Sequence, residues 1–176
     1  MLASVSIILT PWISGFAIPS FVPVLWFQFW EIPVFVALFL IGLKSAVMIS
    51  FIDAVFLLSF YPGAGFNDPV ANLGALLSTL VGVYLIYRSL QKNKIKGKQI
   101  TEKRVIVETT AVGIIFRVGV MVPLLYVSLT VTQLIPAALI PLALIKGAAY
   151  DAIYVLYTVP IGYLIGTVTK KSIRNF

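Results

Sequence analysis

Four ionisable side chains, Asp53, Arg117, Lys146 and Asp151, fall inside stretches that are otherwise almost wholly apolar. An ionised group at the centre of a membrane helix costs on the order of 2.5–3.5 kcal/mol, so each should face protein or trapped water. Two cations balance two anions. One expectation is therefore mutual pairing, with Asp53 set against Arg117; the other is that Arg117 and Lys146 contact a ligand. Catalytic options are few. The chain has no His and no Cys, which removes thiolate nucleophiles, disulfides, haem ligation and the usual zinc sets. An enzyme would need a dyad of Asp53 and Asp151, and no Gly-x-Gly-Asp stretch accompanies either residue. No catalytic residue, metal site or resident cofactor is expected.

The company of Lys146 is more informative. Lys146, Tyr150, Tyr154 and Tyr157 recur at spacings of four, four and three, which places them on one helix face. A planar heteroaromatic ligand could stack on such rings while the lysine donates a hydrogen bond. An ordinary packing stripe has the same periodicity. Upstream, Trp26-Phe27-Gln28-Phe29-Trp30-Glu31 suits either an interfacial aromatic belt or a lid over a pocket, with Gln28 as a polar contact. Glu31 stands at a helix N-terminus, where a carboxylate complements the dipole. Asn72 is a helix cap on one reading and a pocket amide on the other. The candidate site is thus Gln28, Phe29, Glu31, Asn72, Arg117, Lys146, Tyr150 and Tyr154.

The elements that must position these residues are membrane helices. Of 176 residues, 60% are hydrophobic and 11% charged, and mean hydropathy is +1.05; a soluble chain carries about a quarter charged residues. Apolar runs cover roughly 1–29, 31–60, 70–87 and 105–168. They lack the period-two alternation of barrel strands, and a helix needs about 20 residues to cross the hydrocarbon core. The expected architecture is all-α: one transmembrane domain over 1–176, a bundle of six helices at about 2–18, 31–43, 45–60, 69–87, 105–129 and 137–168. Gly42-Leu43-Lys44-Ser45 is expected to turn the chain between the second and third helices, and Pro-Gly-Ala-Gly at 62–65 to break it again.

Charge supplies the orientation. Seven basic residues lie between helices four and five (Arg88, Lys92, Lys94, Lys96, Lys98, Lys103 and Arg104), and Lys170, Lys171 and Arg174 follow helix six. With Lys44 at the second turn, six crossings bring all three basic sites to one side, the cytoplasmic one, with both termini inside. The opposite loops have no Lys or Arg. This placement accounts for the net charge of +7 without a nucleic-acid partner; contact with anionic lipid is the other use of the basic segment. No basic n-region precedes the first apolar run, so a removable signal peptide is not expected.

With these residues in place, the sequence resembles the substrate-binding S component of energy-coupling factor (ECF) vitamin transporters, closest to the riboflavin type. The segment Phe27–Ala54 carries the likeness, through Phe29, Glu31, Ile32, Pro33 and Gly42. Val122-Pro-Leu-Leu-Tyr126 and Pro141-Leu-Ala-Leu-Ile-Lys146 agree with it, the latter where family members often have Pro-Phe-Asn-Leu-Ile-Lys. The likeness spans about Leu25 to Lys171. It implies a multi-pass protein of the cell membrane that captures a vitamin from outside, beneath the first outer loop. Its implied partners are a membrane-embedded coupling protein and two cytoplasmic ATPases. ATP chemistry would belong to those partners, since this chain has no Gly-x4-Gly-Lys-Ser/Thr loop. The chain departs from the pattern in three places. Ala143 stands where a ring-binding Asn is common, Arg117 stands where another Asn is common, and the first helix lacks the Ala-x-x-x-Ala docking motif and a basic leader. Because a guanidinium prefers a carboxylate or phosphate, Arg117 leaves room for an anionic vitamin such as pantothenate or nicotinate; if Asp53 neutralises it, riboflavin remains. The remaining reading is an ion-pathway or assembly subunit that binds no small molecule.

Overall fold

The structure is a computed structural model that describes the chain apart from residues 16–17, 22–25, 61–66, 98, 134 and 175–176. The expected helix break at Pro62–Gly65 lies outside the described residues. Four helices are long and apolar enough to cross a membrane: α4 (Leu43–Phe60), α5 (Asn67–Ile95), α6 (Glu102–Thr132) and α7 (Ile140–Arg174). At 1.5 Å per residue the last three are about 44–52 Å long, so their ends reach beyond the hydrocarbon core.

The amino-terminal third departs from the expected regular bundle. Instead of one helix over residues 2–18 there are two short ones, α1 (Leu2–Ile8) and α2 (Pro11–Ser14), followed by a two-stranded ribbon. Pro11 has no N–H to continue the α1 ladder and its ring would clash with a preceding carbonyl. In the ribbon, β1 (Ile18–Pro19) pairs antiparallel with β2 (Trp26–Phe27), Ile18 opposite Phe27. The second expected helix is α3 (Ile32–Leu40), nine residues long and about 14 Å by the same rise. That is too short to span alone. Six full crossings are therefore not what the described residues form.

The turn between α3 and α4 falls where the glycine demands it. Gly42 has φ +135°, a conformation an L side chain rarely adopts. The N–H groups of Ile41 and Gly42 both donate to the Ala37 carbonyl at 2.9 Å, closing α3 before α4 starts. Thr101 caps α6, accepting from the Arg104 N–H at 3.3 Å.

The core is built where α3 lies in the middle of the longer helices. Phe35 and Val34 on α3, Leu76, Leu80 and Val83 on α5, and Val155 and Val159 on α7 have essentially no exposed surface. Glycine makes the α3–α7 contact possible: a Cβ at Gly162 would overlap the Phe35 side chain, and one at Gly166 would sit 3.1 Å from Phe39 Cβ. Lower in the bundle, Phe39, Tyr87 and Tyr163 form an edge-to-face triangle with centroids 5.1–6.4 Å apart. Past that layer Lys171 of α7 meets Glu102 of α6 at 2.9 Å. This end, close to the 88–104 basic segment, is the basic end of the bundle.

Candidate functional site

Glu31, Arg117 and Asp151 meet in the interior although they come from three separate parts of the chain. Glu31 precedes α3, Arg117 is midway along α6 and Asp151 is a third of the way along α7. The Arg117 Nη1 donates to both Glu31 carboxylate oxygens at 3.1 and 3.0 Å, and its Nε donates to Asp151 Oδ1 at 2.8 Å. The guanidinium carbon lies 4.7 Å from the centre of the Tyr154 ring, within cation–π range. Exposure is 1% for Glu31, 3% for Arg117, 7% for Asp151 and 2% for Tyr154. In a dry interior each charge depends on its partners.

The expected pairing of Arg117 with Asp53 is therefore replaced. Asp53 is buried on α4 and faces α1 instead, where Ser6 Oγ lies 2.7 Å from its Oδ2. The same Ser6 oxygen is 2.6 Å from the Trp30 carbonyl. Glu31 has a different task from the one its position implied. It occupies the N-cap of α3 but makes no side-chain capping bond, because Arg117 holds its carboxylate.

A layer of rings covers the ion cluster. Tyr150, Tyr154 and Tyr157 form a chain on α7 with centroids 5.7 and 5.2 Å apart. Phe27 stacks on Tyr150 at 5.2 Å and meets Tyr157 edge-on at 6.2 Å; Phe29 meets Tyr157 at 5.9 Å. The hydroxyls fasten the first loop. Tyr150 donates to the Trp26 carbonyl and Tyr157 to the Gln28 carbonyl, both at 2.7 Å. Residues 26–31 thus cross the bundle as a strap held by α7 from one side and by Ser6 from another.

Of the eight candidate residues, Gln28, Phe29, Glu31, Arg117, Tyr150 and Tyr154 come together at this strap. Lys146 and Asn72 do not join the buried cluster. Lys146 is exposed one turn beyond Tyr150, contrary to the expectation that it faces protein, and Asn72 is exposed near the start of α5. Lys146 stays on the tyrosine face, but no neighbouring element closes over it: from Val118 to Tyr150, Gly147 alone among the described residues is buried. Three participants were not among the candidates. Asp151 fits a structural pair in the sequence, Tyr157 belongs to the stripe, and nothing about Ser6 marks it for a role. A serine two residues from another on a short apolar helix has no pattern that distinguishes it.

No protein family, curated protein or solved structure matches the chain.

Proposed function

We propose that this multi-pass protein is a solute-capturing subunit resembling the S component of an ECF-type vitamin importer, with riboflavin as the ligand. The observation that carries the reading is the position of Arg117. Its charge is fully engaged by Glu31 and Asp151, so the buried cation is not free for the carboxylate of pantothenate or nicotinate. A further anion would meet two carboxylates against one guanidinium. A neutral, planar ring system meets no such repulsion. The rings of Tyr150, Tyr157, Phe27 and Phe29 would give it stacking surface in exchange for their contacts with one another, and Gln28, Asn72 and Lys146 would offer polar contacts toward the open end. The basic end would face the cytoplasm, and transport would require a coupling protein and two ATPases supplied by other chains.

Purification in detergent tests this directly. The protein should be yellow and release flavin on denaturation, and flavin added to the stripped protein should quench tryptophan fluorescence to a stoichiometric end point. Colourless protein whose fluorescence does not respond to flavin would end the riboflavin assignment. The excess of buried carboxylates supports a second reading, an ion-pathway subunit. Proton or sodium flux into liposomes containing this chain alone would favour it.

A further inference from the structure

Asp53 presents a hydrogen-counting problem that nothing in the ligand reading addresses. Its Oδ2 and the Trp30 carbonyl oxygen lie 2.7 and 2.6 Å from the same atom, Ser6 Oγ. Both separations are those of O–H···O hydrogen bonds. A serine hydroxyl has one proton to give; shared between two acceptors it would make longer, bent bonds, so contacts this short leave it donating to one of the two. If it donates to an ionised Asp53, the Trp30 carbonyl faces a bare oxygen at 2.6 Å. If it donates to Trp30, the contact with Asp53 needs a proton from the carboxyl.

We propose that Asp53 is a proton-binding site: the folded protein holds it as the neutral acid, with Oδ2–H donating to Ser6 and Ser6 donating to the Trp30 carbonyl. Other features agree. Asp53 is 1% exposed, and its Oδ1 has no hydrogen-bond partner among the described residues, an arrangement far costlier for a carboxylate than for a carboxylic acid. A metal cation cannot replace the proton. Even at magnesium's ligand distance of about 2.0–2.1 Å, neighbouring oxygens of an octahedron stand about 2.9 Å apart, wider than either contact.

Among the described residues the surrounding elements offer no compensating positive charge; the ammonium at Met1 precedes α1, and that residue is 97% exposed. Neither α1 nor α3 contains an ionisable side chain, α5 between Pro69 and Tyr87 contributes only tyrosines, and the single lysine of α4, Lys44, is exposed near the helix start. Among the described residues Glu31, next to Trp30, is the charged neighbour, and it repels a second anion. Its own cation, Arg117, is shared with Asp151. The proton therefore joins α1, α4 and the end of the strap through one chain of two hydrogen bonds. The proton on Asp53 does not depend on whether the aromatic layer binds a flavin.

Infrared spectroscopy of the purified full chain, with aspartate labelled at the carboxyl carbon, provides the test. At neutral pH the wild type should show a protonated-carboxyl C=O band that Asp53→Asn removes, while the variant stays monodisperse with an unchanged melting midpoint, because the amide supplies the same donor. Loss of a carboxylate band in place of the acid band would overturn the proposal. So would failure of Asp53→Asn to fold, since that would mean the negative charge is required. Ser6→Ala provides a second reading on protein that keeps Asp53: the acid band should persist and move to higher frequency as its acceptor is lost. An unmoved or absent band would refute the chain of bonds.

Discussion

Around Phe35, Leu80, Val83 and Val155 the helices meet through side chains with almost no exposed surface, whereas from Val118 to Tyr150 the described residues are exposed or half-buried, Gly147 excepted. Both regions are apolar, and both are helical. They differ in what α3 can reach: nine residues fill the space between α5 and α7 toward the basic end, and among the described residues nothing of comparable bulk does so at the other. The ion cluster lies at the boundary between the two regions. Its position suggests different consequences for change on either side. Alterations below it should act on folding, and alterations above it on whatever the open end receives.

The severest disruption is at the boundary itself. Arg117→Met would leave Glu31 and Asp151 buried without their cation, and removing one partner of a buried pair costs about 3–5 kcal/mol. The expected outcome is loss of the monodisperse peak in detergent gel filtration. Adding Glu31→Gln and Asp151→Asn to the same chain should restore much of it, because no uncompensated charge then remains. If Arg117→Met alone is well behaved, the cluster is not a structural boundary.

Two glycine substitutions sharpen the contrast. An added methyl at Gly162 would overlap the Phe35 side chain and stand 3.2 and 3.3 Å from the Phe35 carbonyl carbon and the Val36 nitrogen. Backbone cannot retreat as a flexible side chain can, so Gly162→Ala should cost about 1–3 kcal/mol as overpacking. Gly119 on α6 has nothing within 4 Å of its ideal Cβ, and Gly119→Ala should stabilise the helix by about 0.5–1 kcal/mol. Thermal melts in one detergent would compare them. Equal effects would contradict a closed half and an open half.

How much of this arrangement the residues disclose depends on the range of each interaction. Gly42, the apolar runs and the spacing of Tyr150, Tyr154 and Tyr157 are local signals, and each corresponds to a visible feature: the α3–α4 turn, the long helices, the ring layer. The irregular start was less legible. Pro11 was visible, but apolar composition between residues 2 and 18 is the same for one helix as for two short helices and a ribbon. The pairing of buried charges was not legible at all. The sequence sets Asp53 against Arg117 and Glu31 against a helix dipole, whereas the acids that reach the guanidinium are Glu31 and Asp151, because the choice depends on which way α3 and α4 face after the Gly42 turn. Lys146 failed for a related reason. Helical periodicity assigns a face, but it does not say where along that face neighbouring elements stop.

The strap should respond more mildly than the boundary. Tyr157→Phe removes the donor to the Gln28 carbonyl while keeping the ring contacts with Phe27, Phe29 and Tyr154. One neutral hydrogen bond contributes about 0.5–1.5 kcal/mol, and more where the carbonyl is left without a partner. Hydrogen exchange should therefore accelerate in residues 26–31 and remain unchanged in α5 and α7. Tyr150→Phe should act on Trp26 in the same way, and less strongly, because that bond is exposed. Acceleration throughout the bundle would show that the strap is part of the core rather than a cover over it.

The smallest structural effect belongs to Lys146, and it separates the two regions most cleanly. The side chain is exposed on α7 one turn past Tyr150, outside the bonds that hold Arg117, so Lys146→Ala should leave the melting midpoint unchanged. Under the flavin reading it should nonetheless weaken ligand retention, because the ammonium is the charged donor nearest the ring layer on the open side; a hydrogen bond from a charged group contributes about 1.5–3 kcal/mol, roughly ten-fold or more in affinity. Isothermal titration of wild type and variant with flavin measures it. A lowered melting midpoint would place Lys146 in the fold, while equal affinities at equal stability would move any ligand away from this turn of α7.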